Sequence, residues 1–263
     1  LQLARRNVPL AGADAIEWGT RNIDRFILGL LFPPAIVGIY YMAQQVASIP
    51  LKLNSSFDPM LGPVIAHNLA VGNRAATAHQ VKQVAFWIIT AQAALLLMGG
   101  IPAEGVMGVV GPQFVAGAGA LCFLLAAEVF ASPGAVAEAG LVYMARHRNL
   151  MVSMLLLGFQ AALSFALVFI MRDLGWDVNY QAAGPAVALA VTLAAGSTIK
   201  CWMLSRLTKA SVFSLRPGFV AAVVVAGVVG WAFTRLPPHL EWVELSVGVP
   251  AIFAAYFAVI GKW

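Results

Sequence analysis

Long apolar stretches follow one another along the chain, separated by short polar breaks. They fall at roughly residues 10–32, 34–56, 82–102, 112–143, 149–171, 184–207, 217–235 and 242–261. A hydrocarbon layer about 30 Å thick takes about 20 helical residues to cross. The pattern therefore predicts an all-α polytopic membrane protein with about eight transmembrane helices. The second stretch runs on into a polar, proline-marked segment containing Asp58, Pro59, Pro63 and His67, expected along the membrane surface, and the turn signal "VGNRA" closes it.

Composition agrees with this pattern. Apolar residues make up 61% of the 263 and charged residues only 10%, and the mean hydropathy is +0.85, which excludes a soluble globular domain. Glycine and alanine recur within the apolar stretches, as in "VAGAGALCFLLAAEVFASPGAVAEAG", where small side chains let helices approach closely. Pro133 and Gly134 are expected to kink that helix. Cys122 and Cys201 lie within apolar runs, which suggests neither a disulfide nor a metal site. The chain starts at Leu1 without an initiator methionine or a signal peptide and reads as a fragment lacking an N-terminal part.

The formal net charge of +5 comes from bases dispersed singly among the breaks, not gathered on one face, so it points to topology and not to a nucleic-acid partner. The N-terminus, alternate breaks and the C-terminus carry Arg5, Arg6, Arg74, Lys82, Arg146, Arg148, Arg206, Lys209, Arg216 and Lys262. The opposite breaks carry only Arg172 and Arg235 among their bases, with Glu104, Asp173, Asp177, Glu241 and Glu244. By the positive-inside rule both termini are expected in the cytoplasm. Trp176, Trp231 and Trp242 then fall near the outer boundary and Trp87, Trp202 and Trp263 near the inner one, as an aromatic belt.

One place breaks the economy of charge. "GTRNIDRFILGL", residues 19–30, sets Arg21, Asp24 and Arg25 inside the first apolar stretch, with Asp14 and Glu17 just upstream. On a helix Glu17, Arg21, Asp24 and Arg25 share one face, and Asp14 lies at its edge. Glu17 precedes Arg21 by four residues, the favourable order for an ion pair, and Arg21 also reaches Asp24. Each charge near mid-bilayer costs about 2.5–3.5 kcal/mol, so this face cannot meet lipid. Either the charges pair and seal a helix interface, or they line a water-filled cavity. The second is favoured, because pairing along the sequence leaves Arg25 without an acid, and arginine's planar fork suits a phosphate.

Other charges add to this with less force. Lys52, Asn54, Ser55, Ser56 and Asp58 form a polar cluster near the cytoplasmic end of the second stretch, where Lys52 either snorkels or joins the cavity. Glu128 lies deep in the fourth stretch with no base near it in sequence, and so requires a partner elsewhere. Glu138 lies beyond the Pro133 kink, and Lys200 is expected to snorkel. His67, His79, His147 and His239 are not at ligand spacing with one another, and neither a metal nor a cofactor is expected. The chain carries no phosphate-cradling glycine loop and no GxSxG element, so it reads as a protein that is not an enzyme.

The segment "RNIDRFILGLLFPPAIVGIYYMAQQVASIPLKLNSSFDPMLGPVIAHNLAVGNR", with its D-R-x-x-L-G element, resembles the start of the C-terminal lobe in Wzx-type polysaccharide flippases of the MOP exporter superfamily. "GPQFVAGAGALCFLLAAEVFASP" and "YMARHRNLM" resemble that family's next long helix and the basic turn after it. The resemblance implies a fourteen-helix transporter, of which residues 1–208 would supply the second six-helix lobe and residues 209–263 the two terminal helices. A first lobe of the same protein would then be missing from this chain. It further implies translocation of an undecaprenyl-diphosphate-linked oligosaccharide across the bacterial inner membrane for surface polysaccharide such as lipopolysaccharide. The implied partners are that lipid-linked substrate, the bilayer, and polysaccharide polymerase or assembly proteins. Arg21 and Arg25 match the charged positions on the lobe's first helix and would attract the diphosphate or acidic sugars. Glu17 and Asp24 would tune those arginines or bind and release a coupling proton; from the residues themselves, Lys52 is a further candidate for the cavity and Glu128 for ion coupling.

Other readings stand beside this one. A multidrug extruder of the same superfamily would want a mainly acidic cavity for organic cations, whereas here acids and bases are mixed. A lipid II flippase would share the anionic chemistry. A membrane-embedded glycan polymerase or ligase would need a sizeable outer loop with catalytic His and Arg, and the longest outer break is only "RDLGWDVNYQAAG". A non-transporting membrane scaffold would tolerate neutral residues in the charged stripe.

Overall fold

The computed structural model describes residues 2–213, 216–235 and 244–261. Among them the chain is all helix. In order these are α1 (Gln2–Leu31), α2 (Pro34–Ala70), α3 (Arg74–Gly100), α4 (Ala103–Val110), a 3-10 turn (Pro112–Gly117), α5 (Ala118–Met144), α6 (Arg146–Asp173), α7 (Val178–Thr208), α8 (Pro217–Phe233), a π turn (Glu244–Gly248) and α9 (Val249–Ile260).

The boundaries follow from local chemistry. Pro33 and Pro34 end α1 and open α2, proline's missing N–H being harmless in a first helical turn. α2 runs straight through the predicted surface segment as one helix of 37 residues. It ends where predicted, at the "VGNRA" turn. Gly72 takes φ +74°, a left-handed conformation open to glycine, and Asn73 then caps α3 by accepting from the Ala76 N–H at 3.0 Å. Asp177 caps α7 in the same way.

Helix α5 sits at the centre, packed on α2, α3 and α7; α6 flanks α7, and α1 leans chiefly on α6. The α5–α7 seam is close because small residues face each other. A methyl group added at Gly134 would lie 2.7 Å from the backbone Cα of Ser197, so glycine is what permits this approach. Pro133, just before it, stays inside the helix. Its missing N–H orphans the Val129 carbonyl, and the Ser132 hydroxyl donates to that oxygen at 2.7 Å. α8 and α9 pair with each other and pack on α3 through Ala222, Ala226, Ile252 and Tyr256.

The expected count of about eight transmembrane helices is corrected by this structure. Among the described residues four helical segments are long and apolar enough to cross a membrane: Arg74–Gly100, Pro112–Met144, Arg146–Asp173 and Val178–Thr208. With the count falls the placing of the chain as a six-helix lobe plus terminal pair of a fourteen-helix assembly. Helices form at the other predicted spans, but each lacks one requirement. α1 has the length but carries seven charged residues, Arg5, Arg6, Asp14, Glu17, Arg21, Asp24 and Arg25. α2 is interrupted by "QQ" and by "KLNSSFD". α8 has 17 residues, about 25 Å of helix, and Leu245–Ile260 is shorter still. A multi-span, all-helical membrane architecture is what remains. Its surface fits that setting: Trp87, Trp176, Trp202 and Trp231 are all exposed, as are Met154, Leu155, Phe159 and Ile170 along α6.

Candidate functional site

The face of α1 that carries Arg21, Asp24 and Arg25 divides in three directions. Arg21 points to α5, where its Nη1 meets Glu128 Oε1 at 2.9 Å. Glu128 thus finds its base on a helix more than a hundred residues away in sequence, and Arg21 pairs there and not with Asp24. The pair is well enclosed, with side-chain exposures of 30% for Arg21 and 9% for Glu128.

Asp24 is completely buried. Its Oδ2 accepts from the Tyr40 hydroxyl at 2.6 Å, and its Oδ1 accepts from the backbone N–H of Arg25 at 2.8 Å. Tyr40 comes from α2, brought opposite Asp24 by the tight α1–α2 hairpin at Phe32 and Pro33. Two donors, one an O–H, hydrogen-bond this carboxylate, and the Arg25 cation beside it in sequence lies within electrostatic reach.

Arg25 makes no ion pair among the described residues. Its Nε donates to Gln44 Oε1 on α2, and its guanidinium lies over the Tyr41 ring, 4.8 Å from the centroid. It forms the polar end of a groove of about 450 Å³ between α1 and α2, whose walls are otherwise Gly29, Phe32, Pro34, Val37, Gly38 and Tyr41. A methyl group added at Gly29 or Gly38 would meet no neighbouring atom within 4 Å. Neither close packing nor a left-handed φ demands these two glycines. Mid-helix glycine costs about 1 kcal/mol relative to alanine, and here its effect is to widen the groove.

A second polar tier lies beside the Arg21–Glu128 pair. Gln160 on α6 donates through Nε2 to the Thr20 carbonyl at 2.9 Å. Gly184 faces Val168 and Gly196 faces Leu156, an antiparallel register that sets Thr192 of α7 level with Gln160. Glu128 Oε2, Gln160 Oε1, Ser164 Oγ and Thr192 Oγ1 are buried and have no hydrogen-bond partner among the described residues. The tier therefore extends from α1 across α5, α6 and α7 as a polar layer in an apolar bundle.

The remaining predicted residues lie elsewhere. Lys52 is exposed on α2, eight residues and about 12 Å of helix beyond Gln44, so it stands apart from the arginines. The side chains of Asp14, Glu17, Asn54, Ser55 and Asp58 lie outside the described residues. Lys200, expected to snorkel, has a partner: its Nζ holds Glu138 Oε2 at 2.7 Å, while Asn149 Nδ2 donates to Glu138 Oε1 at 2.7 Å. That cluster ties α5, α6 and α7 together. Among the described residues no group of His, Cys, Asp or Glu is placed to hold a metal.

Sequence reasoning missed Gln44, Tyr40 and Tyr41. The signal was available in "VGIYYMAQQVASIP", where two tyrosines and two glutamines interrupt an apolar run; polar side chains in such a run seek partners across a helix interface. No protein-family model and no curated protein matches this chain.

Proposed function

We propose that this protein takes part in moving an anionic, lipid-linked oligosaccharide across the bacterial inner membrane, the undecaprenyl-diphosphate-linked substrate of surface polysaccharide synthesis. One observation carries the reading: Arg25 is a half-buried cation that makes no ion pair among the described residues, held at the head of a groove whose walls are apolar. Such a groove suits an amphiphile with a phosphate at one end and a hydrocarbon chain beyond it. Arg25 would engage the phosphate through its remaining N–H groups, and Phe32, Pro34 and Val37 would line the path of the chain. The likeness of residues 21–74 to Wzx-type flippases supports the same substrate class, and the distribution of Lys and Arg supports an orientation with both termini cytoplasmic.

Asp24 and Glu128 are the buried carboxylates beside this site, and we assign them any ion coupling of the cycle; the polar layer around Glu128 is suited to hydration. An organic-cation extruder fits less well, because Tyr40 and Arg21 already engage those two carboxylates. Lipid II, another polyprenyl diphosphate, would satisfy the same chemistry as the oligosaccharide lipid.

The test is made with the full-length protein in cells lacking it and in cells expressing Arg25→Gln at normal membrane abundance. Undecaprenyl-linked oligosaccharide is extracted and quantified beside surface glycan. The expected result is accumulated lipid intermediate with loss of surface glycan in both strains. Unchanged lipid intermediates in the null strain would overturn the reading and direct attention to drug-efflux assays.

A further inference from the structure

We infer that Gln44 and Tyr41 are positioning residues for Arg25, and that through it they set how strongly the groove prefers an anionic amphiphile over a neutral one; this rests on the translocation reading above. The Gln44 amide is engaged at both ends. Its Nε2 donates to the Arg21 carbonyl at 3.0 Å, and its Oε1 accepts from Arg25 Nε. The first bond fixes the sense of the amide, since a flipped amide would set oxygen against the carbonyl and NH2 against the Nε–H. The acceptor is therefore held facing Arg25.

The consequence lies in which donors are used. A guanidinium has five N–H groups on a rigid plane. Gln44 takes the one on Nε, and Tyr41 supports one face of the plane at 4.8 Å from its ring centroid. No hydrogen bond from the described residues takes the outer edge, Nη1 and Nη2, which forms a two-donor fork at the head of the groove, the arrangement that meets a phosphate bidentately. Asp24 lies within electrostatic reach of Arg25 but forms no ion pair with its guanidinium; it is buried and accepts instead from Tyr40 and the Arg25 backbone N–H.

Neutrality of the partner is essential here. Glutamine orients the arginine without cancelling its charge, whereas a carboxylate at position 44 would do both. Gln44 is thus distinguished from Glu128, which orients Arg21 and neutralises it. The two arginines lie four residues apart on one helix and differ in this respect: Arg21 is paired with an acid inside the bundle, and Arg25 is presented to the groove.

The experiment uses the purified full-length protein in lipid nanodiscs and measures binding of three probes: undecaprenyl phosphate, the neutral undecaprenol, and inorganic phosphate. The readout is the ratio of the Kd for undecaprenol to that for undecaprenyl phosphate, which a merely structural residue would leave unmoved. The wild type is expected to prefer the phosphorylated lipid, with inorganic phosphate binding weakly because the apolar walls contribute nothing to it. Gln44→Met is expected to lower the ratio by about tenfold, the equivalent of one hydrogen bond to a charged group. Gln44→Glu should abolish the preference. Tyr41→Leu, at a position exposed on the surface, should lower the ratio without disturbing the bond to Arg21. A wild type without preference would overturn the translocation reading and this inference together. A wild-type preference that survives in both Gln44→Met and Tyr41→Leu would overturn this inference alone.

Discussion

Arg21→Met separates the two arginines by what each is for. The substitution keeps the aliphatic stem and removes the guanidinium, leaving Glu128, 7% exposed, as a carboxylate within the bundle and without its base. Removing one partner of a buried ion pair costs about 3–5 kcal/mol. Arg21 keeps 30% of its side-chain exposure, so part of the interaction is screened by solvent and the lower end applies, about 3 kcal/mol. Glu128→Leu is milder, since the arginine left behind is the more exposed partner, and about 1–2 kcal/mol is expected. The double variant Arg21→Met with Glu128→Leu replaces both charges by apolar groups of similar size and should fall within about 1 kcal/mol of wild type. The measurement is thermal unfolding of the purified protein in nanodiscs, followed by helical circular dichroism. With about 2–4 °C per kcal/mol for a chain of this size, Arg21→Met should lower Tm by about 6–12 °C, and the second substitution should restore most of it. Equal Tm values for Arg21→Met and the double variant would refute the reasoning, because the carboxylate would then have no need of the guanidinium.

Three further substitutions test the frame around the site. Gly134→Ala places a methyl group 2.7 Å from the Ser197 Cα and forces α5 and α7 apart. It should cost about 1–3 kcal/mol of stability, whereas Gly38→Ala, in the open groove, should leave Tm unchanged or raise it. A Gly134→Ala protein as stable as wild type would show that the seam yields more easily than the packing implies. Tyr40→Phe preserves the ring and deletes the donor to Asp24 Oδ2, leaving a buried carboxylate oxygen unsatisfied; a loss of about 1.5–3 kcal/mol is expected in the same assay, and an unchanged Tm would mean that Asp24 finds another donor.

Local features were legible because short-range physics sets them. The "VGNRA" turn, with Gly72 and Asn73, acts within a few residues and ends α2 where expected, whereas the cap at Asp177 starts α7 at Val178, six residues ahead of the expected span from 184. The closeness of the α5–α7 seam was foreshadowed by the small residues of "ASPGAVAEAG". The number of membrane-crossing helices was overread, because each apolar stretch was judged by its most apolar part. α1 carries its charges within the same helix, and α8 stops at 17 residues.

The candidate site divides along the same line. Helical periodicity on its own grouped Arg21, Asp24 and Arg25 on one face, and the cost of charge in an apolar medium required that they have partners. The identities of those partners were decided by tertiary structure alone. Glu128 approaches Arg21 from α5, while Tyr40, Tyr41 and Gln44 reach Asp24 and Arg25 across the hairpin. Charge attraction and hydrogen bonding depend on distance in space, and a sequence fixes that distance only within a helix. Which arginine is neutralised and which is presented is therefore a property of the packed bundle.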